Sequence, residues 1–398
     1  MPIATILRRG STHMVALGKA LLKNDLRVAF AIALTWQLVM TIVGSALMPS
    51  TAFLQHTTLW DGGWYLSVIN EQYRINPASA AFYPLFPLIV GVLAVLTFHI
   101  FSLPLIGLVV NTVALGFAIA ALLTIAKHFN MTVRARYACV VFFLLSPAAI
   151  FLHQFYGEAV FAAVGFWAYA YALKRRWLYV GILLAILTAS RLPALLFVGL
   201  CLLEYLRAYD WNFKKALNRK ALYFLLAPIG FVIYGFYLLA VRGDFFAMFG
   251  AYNATDDWTY QSFNPNFFYP IARSCYEVIL AIFGRLPLNS DLLVSHAIPL
   301  LSLALLLVTS LYLIFWHRGR GIPLGVFGLV SLVFFTLNNN LVSVHRYTLP
   351  CLGIYIALTL IYTKYRKLRP LIILTALVTA SIQILLTLWL FTTDKFVG

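Results

Sequence analysis

The chain has 398 residues, of which 63% are hydrophobic and 10% charged, with a mean hydropathy of +0.90. Soluble domains carry roughly 45–50% apolar and about 25% charged residues, so this composition excludes a soluble globular domain. Abundant aromatic residues exclude disorder, and four cysteines placed singly exclude a disulfide scaffold. What remains is an all-α, polytopic membrane protein. The net charge of +17 could suggest nucleic acid, but the placement of the charges argues against that partner.

Charge-free stretches follow one another along the chain and define the predicted helices. Most of them can cross about 30 Å of hydrocarbon at 1.5 Å per helical residue. In chain order they are 28–49, 104–126, 137–157, 159–173, 177–190, 192–203, 221–241, 292–316, 321–344, 347–363 and 370–393.

The segment 75–126 has no formal charge and is long enough for two crossings. Two crossings would move the next basic cluster to the other side of the membrane. We therefore expect one crossing at 104–126, with 82–102 as a juxtamembrane or re-entrant helix. Pro84, Pro87 and Pro104 bracket that helix, and proline favours breaks.

Compact basic clusters separate the apolar stretches and hold 22 of the 29 Lys and Arg residues. The positive-inside rule places such clusters in cytoplasmic loops. The spans then pair up to give about 11 transmembrane helices, with the N-terminus inside and the C-terminus outside. On this topology 9 of the 12 acidic residues fall outside, with two large external loops at 50–103 and 242–291.

The first candidate site follows the first predicted span, where Trp60, Asp61, Trp64 and Tyr65 lie within six residues. An acid among aromatics at the membrane boundary is partly desolvated, and desolvation raises its basicity. Aromatic faces also suit sugar rings, whose C–H faces stack on them. The alternative is an interfacial aromatic belt with a helix-capping Asp.

Further candidates lie near the outer ends of later spans. Glu158 follows Tyr156 between two apolar runs, and an ionisable group at membrane depth is a functional candidate. Its alternative is a solvated carboxylate in an external turn. Arg191 and the pair His345-Arg346 are outward cations, for which a lipid phosphate is a suitable anion. Simple lipid-headgroup contact is the alternative for each.

The second large loop carries Asp244, the pair Asp256-Asp257 and Trp258. Two adjacent aspartates could hold a divalent ion, but a lone pair is weak evidence, so no metal site is assigned and a divalent metal is left as an open alternative. The sequence has no P-loop, HExxH, GxSxG or CxxC motif. ATP-driven transport, zinc proteolysis and serine hydrolysis therefore have no motif support.

Five blocks in chain order resemble the PIG-V family, the GPI mannosyltransferase II enzymes and their prokaryotic relatives within the GT-C superfamily. The blocks are WDGGWYL at 60–66 with AFYPLFPL at 81–88, SPA at 146–148 with YGEAVF at 156–161, SRLP at 190–193, GDFFA at 243–247 with Trp258 and Pro265, and HRYTLP at 345–350. They cover roughly residues 28–360. Departures from the pattern are Gly157, Leu192 and His345.

The resemblance implies a GT-C fold and a glycosyltransferase that takes a sugar, usually mannose, from a polyprenyl-phosphate carrier on the non-cytoplasmic face, with inversion. The predicted domains are a cytoplasmic segment 1–27, a GT-C-like module 28–241 with a catalytic loop 50–103, an external loop 242–291 and a C-terminal module 292–398. The membrane would be the plasma or inner membrane of a prokaryote, or the endoplasmic reticulum of a eukaryote.

Roles for single residues follow from the resemblance and the chemistry together. Asp61 is the predicted base, with Glu158 orienting the acceptor or sharing that role. Arg191, Arg346 and His345 are predicted to bind the donor phosphate. The predicted sugar and acceptor contacts are Trp60, Trp64, Tyr65, Tyr156, Asp244 and Trp258.

The predicted partners are the lipid-linked sugar, a glycolipid or glycan acceptor, and membrane lipids. Alternatives left open are a transporter or flippase of lipid-linked sugars, and a GT-C enzyme with another sugar or a protein acceptor. A transporter would be expected to show inverted repeats, and the sequence has no such repeat.

Overall fold

The computed structural model describes residues 25–48, 50–253, 262–317 and 319–393. These residues form helices and no β-strand; a single isolated bridge joins Phe263 to Asn338. The helices are α1 (Asp25–Leu47), α2 (Ser50–His56), α3 (Asp61–Glu71), α4 (Leu85–Leu96), α5 (Leu103–His128), α6 (Val133–Leu144), α7 (Glu158–Leu173), α8 (Trp177–Thr188), α9 (Ala194–Ala208), α10 (Phe213–Ala216), α11 (Ile229–Arg242), α12 (Ala247–Gly250), α13 (Tyr269–Ile282), α14 (Ser290–Leu292), α15 (Ile298–Phe315), α16 (Gly321–Phe335), α17 (Val344–Tyr347), α18 (Gly353–Lys364) and α19 (Arg369–Thr393). Shorter 3₁₀ turns cover Pro77–Ala81, Pro147–Leu152, Arg219–Leu226, Ala251–Asn253 and Arg366–Leu368, and Leu293–Ala297 is a π turn.

Five helical segments of the described chain are long and apolar enough to cross a membrane: Asp25–Leu47, Leu103–His128, Arg219–Arg242, Ser290–Phe315 and Arg366–Thr393. Five further apolar helices have 10 to 17 residues. This pattern is compatible with a multi-pass membrane protein. It bears out the all-α expectation, whereas the count of about 11 transmembrane helices is not confirmed.

Two predicted stretches form shorter helices than their apolar length suggests. In 137–157 the helix ends at Leu144, shortly before Pro147, which has no N–H to donate. In 321–344 it ends at Phe335, before the run Asn338-Asn339-Asn340, because asparagine favours turns over helix. The two segments that follow lie outside α-helices and carry the chain toward the candidate site.

The segment expected to form a surface or re-entrant helix contains α4. At 12 residues α4 extends about 18 Å, short of the roughly 30 Å hydrocarbon core. It packs against α5, and its other side leaves Leu88, Val92 and Leu96 exposed. On its own α4 is therefore too short to cross a bilayer.

The bundle is organised around α5, which packs against both α1 and α7. Helices from the C-terminal part pack directly on the N-terminal part: α18 lies on α6, α16 on α9, and α19 on the Pro147–Leu152 turn. One continuous cluster of buried apolar residues runs through both parts. Residues far apart in sequence can therefore meet at one end of the bundle.

Candidate functional site

Four charged side chains from four separate segments form one ion-pair cluster. Arg346 lies between the two acids: its Nη1 is 2.5 Å from Asp61 Oδ2, and its Nε donates to Glu158 Oε1. Arg191 Nη1 donates to the same Glu158 oxygen at 2.9 Å. The sequence separations reach 285 residues, so only the tertiary fold assembles this cluster.

Local structure explains where the two acids sit. Asp61 and Glu158 are the first residues of α3 and α7, where the positive end of the helix dipole favours a negative charge. Gly62 allows the close approach of the two loops, since a β-carbon there would lie 3.2 Å from the carbonyl oxygen of Thr57 and 3.5 Å from that of Phe155. The two acids therefore start neighbouring helices from contacting loops.

The cluster is buried most deeply at its centre. Side-chain exposure is 1% for Glu158 and 2% for Arg346, against 16% for Arg191 and 24% for Asp61. Burial alone would lower the pKa of Arg346, but the carboxylates of Asp61 and Glu158 outweigh that effect and raise it well above its ordinary value. For Arg191 burial is likewise outweighed, by Glu158, and its pKa is raised. Both guanidinium groups therefore stay charged, and two positive charges balance two carboxylates.

Aromatic rings enclose this cluster. The Arg346 guanidinium lies 4.7 Å from the ring centre of Tyr156 and 5.3 Å from that of Phe151. Tyr65 packs edge-on against Tyr156 at 6.5 Å, and burial raises the pKa of its hydroxyl to about 12. Trp64 stacks on Phe82 with the rings 9° from parallel. Tyr65 is therefore a neutral hydroxyl beside the charged groups.

The remaining predicted site residues fall in different places. His345 is buried beside Arg346 in α17, and Trp60, 44% exposed, lies at the rim next to Asp61. Asp244 is exposed, and its carboxylate accepts the backbone N–H of Phe246 at 2.8 Å, which closes a local turn. Trp258, with the pair Asp256-Asp257, lies outside the described residues. In the part of the chain that the structure describes, no three His, Cys, Asp or Glu residues are grouped as a metal site would require.

Sequence reasoning missed three residues near the site. Tyr252 interacts electrostatically with Asp61 and Arg191. The segment that follows α12 therefore lies near the charge cluster. Gln37 and Asn111 are buried and hydrogen-bond to the segment just before Glu158. For Gln37 and Asn111 the sequence did carry a signal, because each is a lone polar amide inside a long apolar span.

An apolar cleft of about 230 Å³ reaches the cluster at Arg191, which is the one charged residue among the described residues of its lining. The cleft lies between α9 and α11, with Thr188 of α8 behind them. Its other walls are aliphatic or aromatic: Tyr83, Leu192, Ala194, Leu195, Val198, Phe224, Ala227, Pro228 and Phe231. The lining is therefore apolar apart from the positive charge of Arg191 and the hydroxyls of Tyr83 and Thr188. The sequence analysis did not predict this location.

The site and the basic clusters lie at opposite ends of the same helices. Helix α7 starts with Glu158 and is followed by Lys174, about 24 Å further along at 1.5 Å per residue. Helix α9 follows Arg191 and has Arg207 in its last turn. This arrangement separates the charge cluster from the basic loops along the helix axes.

Fold and site together define an all-helical protein, compatible with a multi-pass membrane protein, in which two acids and two arginines meet at one end of the bundle. Compared with known proteins, the chain matches no family model and no curated protein.

Proposed function

We propose that this protein is an integral membrane glycosyltransferase of the GT-C type that moves a sugar from a polyprenyl-phosphate carrier to an acceptor hydroxyl with inversion. The observation that carries the proposal is the cluster of Asp61, Glu158, Arg191 and Arg346 beside an apolar cleft. Mannose as the sugar, and a lipid or glycan as the acceptor, rest on the resemblance to the PIG-V family.

Inverting transfer needs a base on one face of the sugar and charge stabilisation on the other. Asp61, the more exposed of the two acids, takes the proton from the acceptor hydroxyl. The oxygen of that hydroxyl forms the new bond to the anomeric carbon of the sugar. The bond from that carbon to the phosphate oxygen breaks, and the polyprenyl phosphate leaves with the electron pair. The arginines stabilise the negative charge that grows on the phosphate.

Arg346 is hydrogen-bonded to Asp61 as well as to Glu158. A donor phosphate that enters at Arg191 competes with Asp61 for Arg346, and a base released in this way can accept a proton. Planar guanidinium groups suit the exchange because they bind phosphate as readily as carboxylate.

The cleft supports a lipid donor because its walls are apolar and its one charge is positive. A polyprenyl chain would lie between α9 and α11 with its phosphate at Arg191. The basic clusters at the opposite helix ends support a non-cytoplasmic site under the positive-inside rule. In this proposal the shorter apolar helices pack with the five long segments to complete a GT-C fold.

The test is a transfer assay with purified protein in nanodiscs, radiolabelled polyprenyl-phosphate-mannose and a membrane lipid extract as the acceptor pool. We expect wild type to move label into a new product and Asp61→Asn to lose that activity by at least about a thousandfold. Glu71→Gln is the matched control: Glu71 ends the helix that Asp61 starts and accepts a hydrogen bond from Ser67 at 2.8 Å.

Mass analysis of the product would identify the acceptor. Near-wild-type turnover by Asp61→Asn would contradict its role as base. Saturable donor binding by wild type and variant without transfer would indicate another sugar or acceptor. Donor movement across the bilayer without transfer would favour a transporter of lipid-linked sugars.

A further inference from the structure

Two polar side chains project from apolar helices into the core beneath the charge cluster. Gln37 on α1 is 3% exposed and Asn111 on α5 is fully buried. A buried amide costs free energy unless it is hydrogen-bonded, so such residues in apolar helices need a specific partner. Neither residue belongs to the charge cluster.

Both amides bind the same short segment. Gln37 Nε2 donates to the carbonyl oxygen of Leu152 at 2.9 Å, and Asn111 Nδ2 donates to that of Gln154 at 2.6 Å. Between them, His153 Nδ1 donates to Gln37 Oε1. Two helices thus hold residues 152–154 from below, and we call Gln37 and Asn111 the amide clamp.

The other side of this segment contacts the loop that leads to Asp61. The backbone N–H of Phe155 donates to the carbonyl of Thr57 at 3.0 Å, and the Tyr156 hydroxyl donates to the carbonyl of Leu59 at 3.2 Å. The Phe155 ring lies so close to Gly107 on α5 that a β-carbon there would meet it at 2.4 Å. The segment therefore links the amide clamp to both acid-bearing loops.

We propose that Gln37 and Asn111 are positioning residues that hold segment 152–157 so that Tyr156 and Glu158 stay against Arg346. The inference rests on the proposed function, because it assigns the amide clamp a role in transfer. The two amides act through the segment and make no contact with substrate. Since displacements of about 1 Å can cost a hundredfold in rate, loss of the amide clamp should slow the chemical step.

The first test needs no transfer activity. Hydrogen exchange, followed by mass spectrometry of peptides covering 152–157, should be about tenfold faster in Asn111→Leu and Gln37→Leu than in wild type. Thr112→Val is the matched control, because within the described residues the Thr112 hydroxyl donates to the Leu108 carbonyl of its own helix, at 2.7 Å, and not to segment 152–157. We expect wild-type exchange in that control. Unchanged exchange in both Leu variants would overturn the inference.

The second test is a double-mutant cycle on kcat, normalised to sites that bind polyprenyl phosphate. We expect Asn111→Leu to lower kcat about tenfold in wild type, with donor KM within twofold, and less than twofold in a Glu158→Gln background. A loss of general stability would act equally in both backgrounds, so equal losses would overturn the inference. A wild type without transfer would contradict the proposed function, while the exchange measurement would still decide whether the amide clamp holds the segment.

Discussion

Two buried glutamates of this protein have different ion-pair environments. Glu158 belongs to the charge cluster, whereas Glu204 lies near the C-terminal end of α9, the end far from Arg191. Glu204 and Glu158 each have 1% side-chain exposure. Glu204 pairs with Arg207 one turn along the same helix, and each of its oxygens accepts a hydrogen bond, at 2.5 Å and 2.9 Å. That pair is local, and both of its carboxylate oxygens have a partner.

Glu158 is bound by two arginines from distant segments, and both donate to Oε1. Within the described residues its Oε2 is buried without a hydrogen-bond partner. A buried carboxylate oxygen left in this state is costly unless another group completes it. Glu204 thus forms a self-contained ion pair, whereas Glu158 has an oxygen that can still accept a hydrogen bond from a ligand. Substitutions in the two ion pairs should therefore affect transfer activity differently.

The largest difference in transfer rate is expected between the variants Arg346→Lys and Arg207→Lys. A lysine ammonium lacks the planar fork with which Arg346 bridges two carboxylates, so transfer should fall at least about a hundredfold. Arg207→Lys keeps a single partner at the other end of α9 and should leave transfer within about twofold. Steady-state kinetics on both variants in nanodiscs would measure this, and equal losses would contradict the distinction.

The second difference, in kcat per folded molecule, is expected between the variants Glu158→Gln and Glu204→Gln. Glu158→Gln keeps the shape but removes the charge that two arginines share, so kcat per folded molecule should fall about thirtyfold, and Tm should fall as well because the buried arginines lose a counter-charge. Glu204→Gln should lower Tm by several degrees and leave kcat per folded molecule unchanged. Thermal unfolding and active-site-normalised kinetics separate the two effects, and the reverse pattern would refute the assignment.

A smaller effect on transfer kinetics is expected at Arg191, the charged residue in the lining of the cleft. Arg191→Gln removes the charge that meets the donor phosphate, so donor KM should rise about five- to tenfold with a smaller change in kcat. Arg74→Gln, at an exposed arginine after α3, is the control and should leave donor KM unchanged. An unchanged donor KM in Arg191→Gln would argue against the phosphate contact.

The smallest effect concerns pH. Because burial raises the pKa of Tyr65 to about 12, Tyr65→Phe should leave the shape of the pH–rate profile unchanged between pH 6 and 9. In the unfolded chain tyrosine ionises near pH 10, so the unfolded state loses its proton first and is favoured as pH rises from about 10 to 12. Wild-type Tm should therefore fall more steeply than that of Tyr65→Phe in this window; equal slopes would contradict the burial effect.

Much of the helical fold follows from local composition. Long apolar runs exclude water, and a backbone in hydrocarbon must satisfy its own hydrogen bonds, so the runs at 28–49, 104–126 and 370–393 predicted helices that the structure contains. The two predicted stretches 177–190 and 192–203 also form separate helices, α8 and α9, on either side of Arg191. Helix ends were less predictable at Leu144 and Phe335, where turn residues interrupt apolar sequence.

The sequence by itself determined the all-helical class and singled out Asp61, Glu158, Arg191 and Arg346, because charges are rare in apolar sequence and each therefore stands out. Only the tertiary structure decided that these four form one cluster, that Glu158 receives both arginines on one oxygen, and that Gln37 and Asn111 hold the loop beneath it. The physical reason is the sequence separation of the interacting residues. Helix formation and apolar burial depend on residues that are close in sequence, whereas ion pairs across 188 and 285 positions depend on how the helices pack.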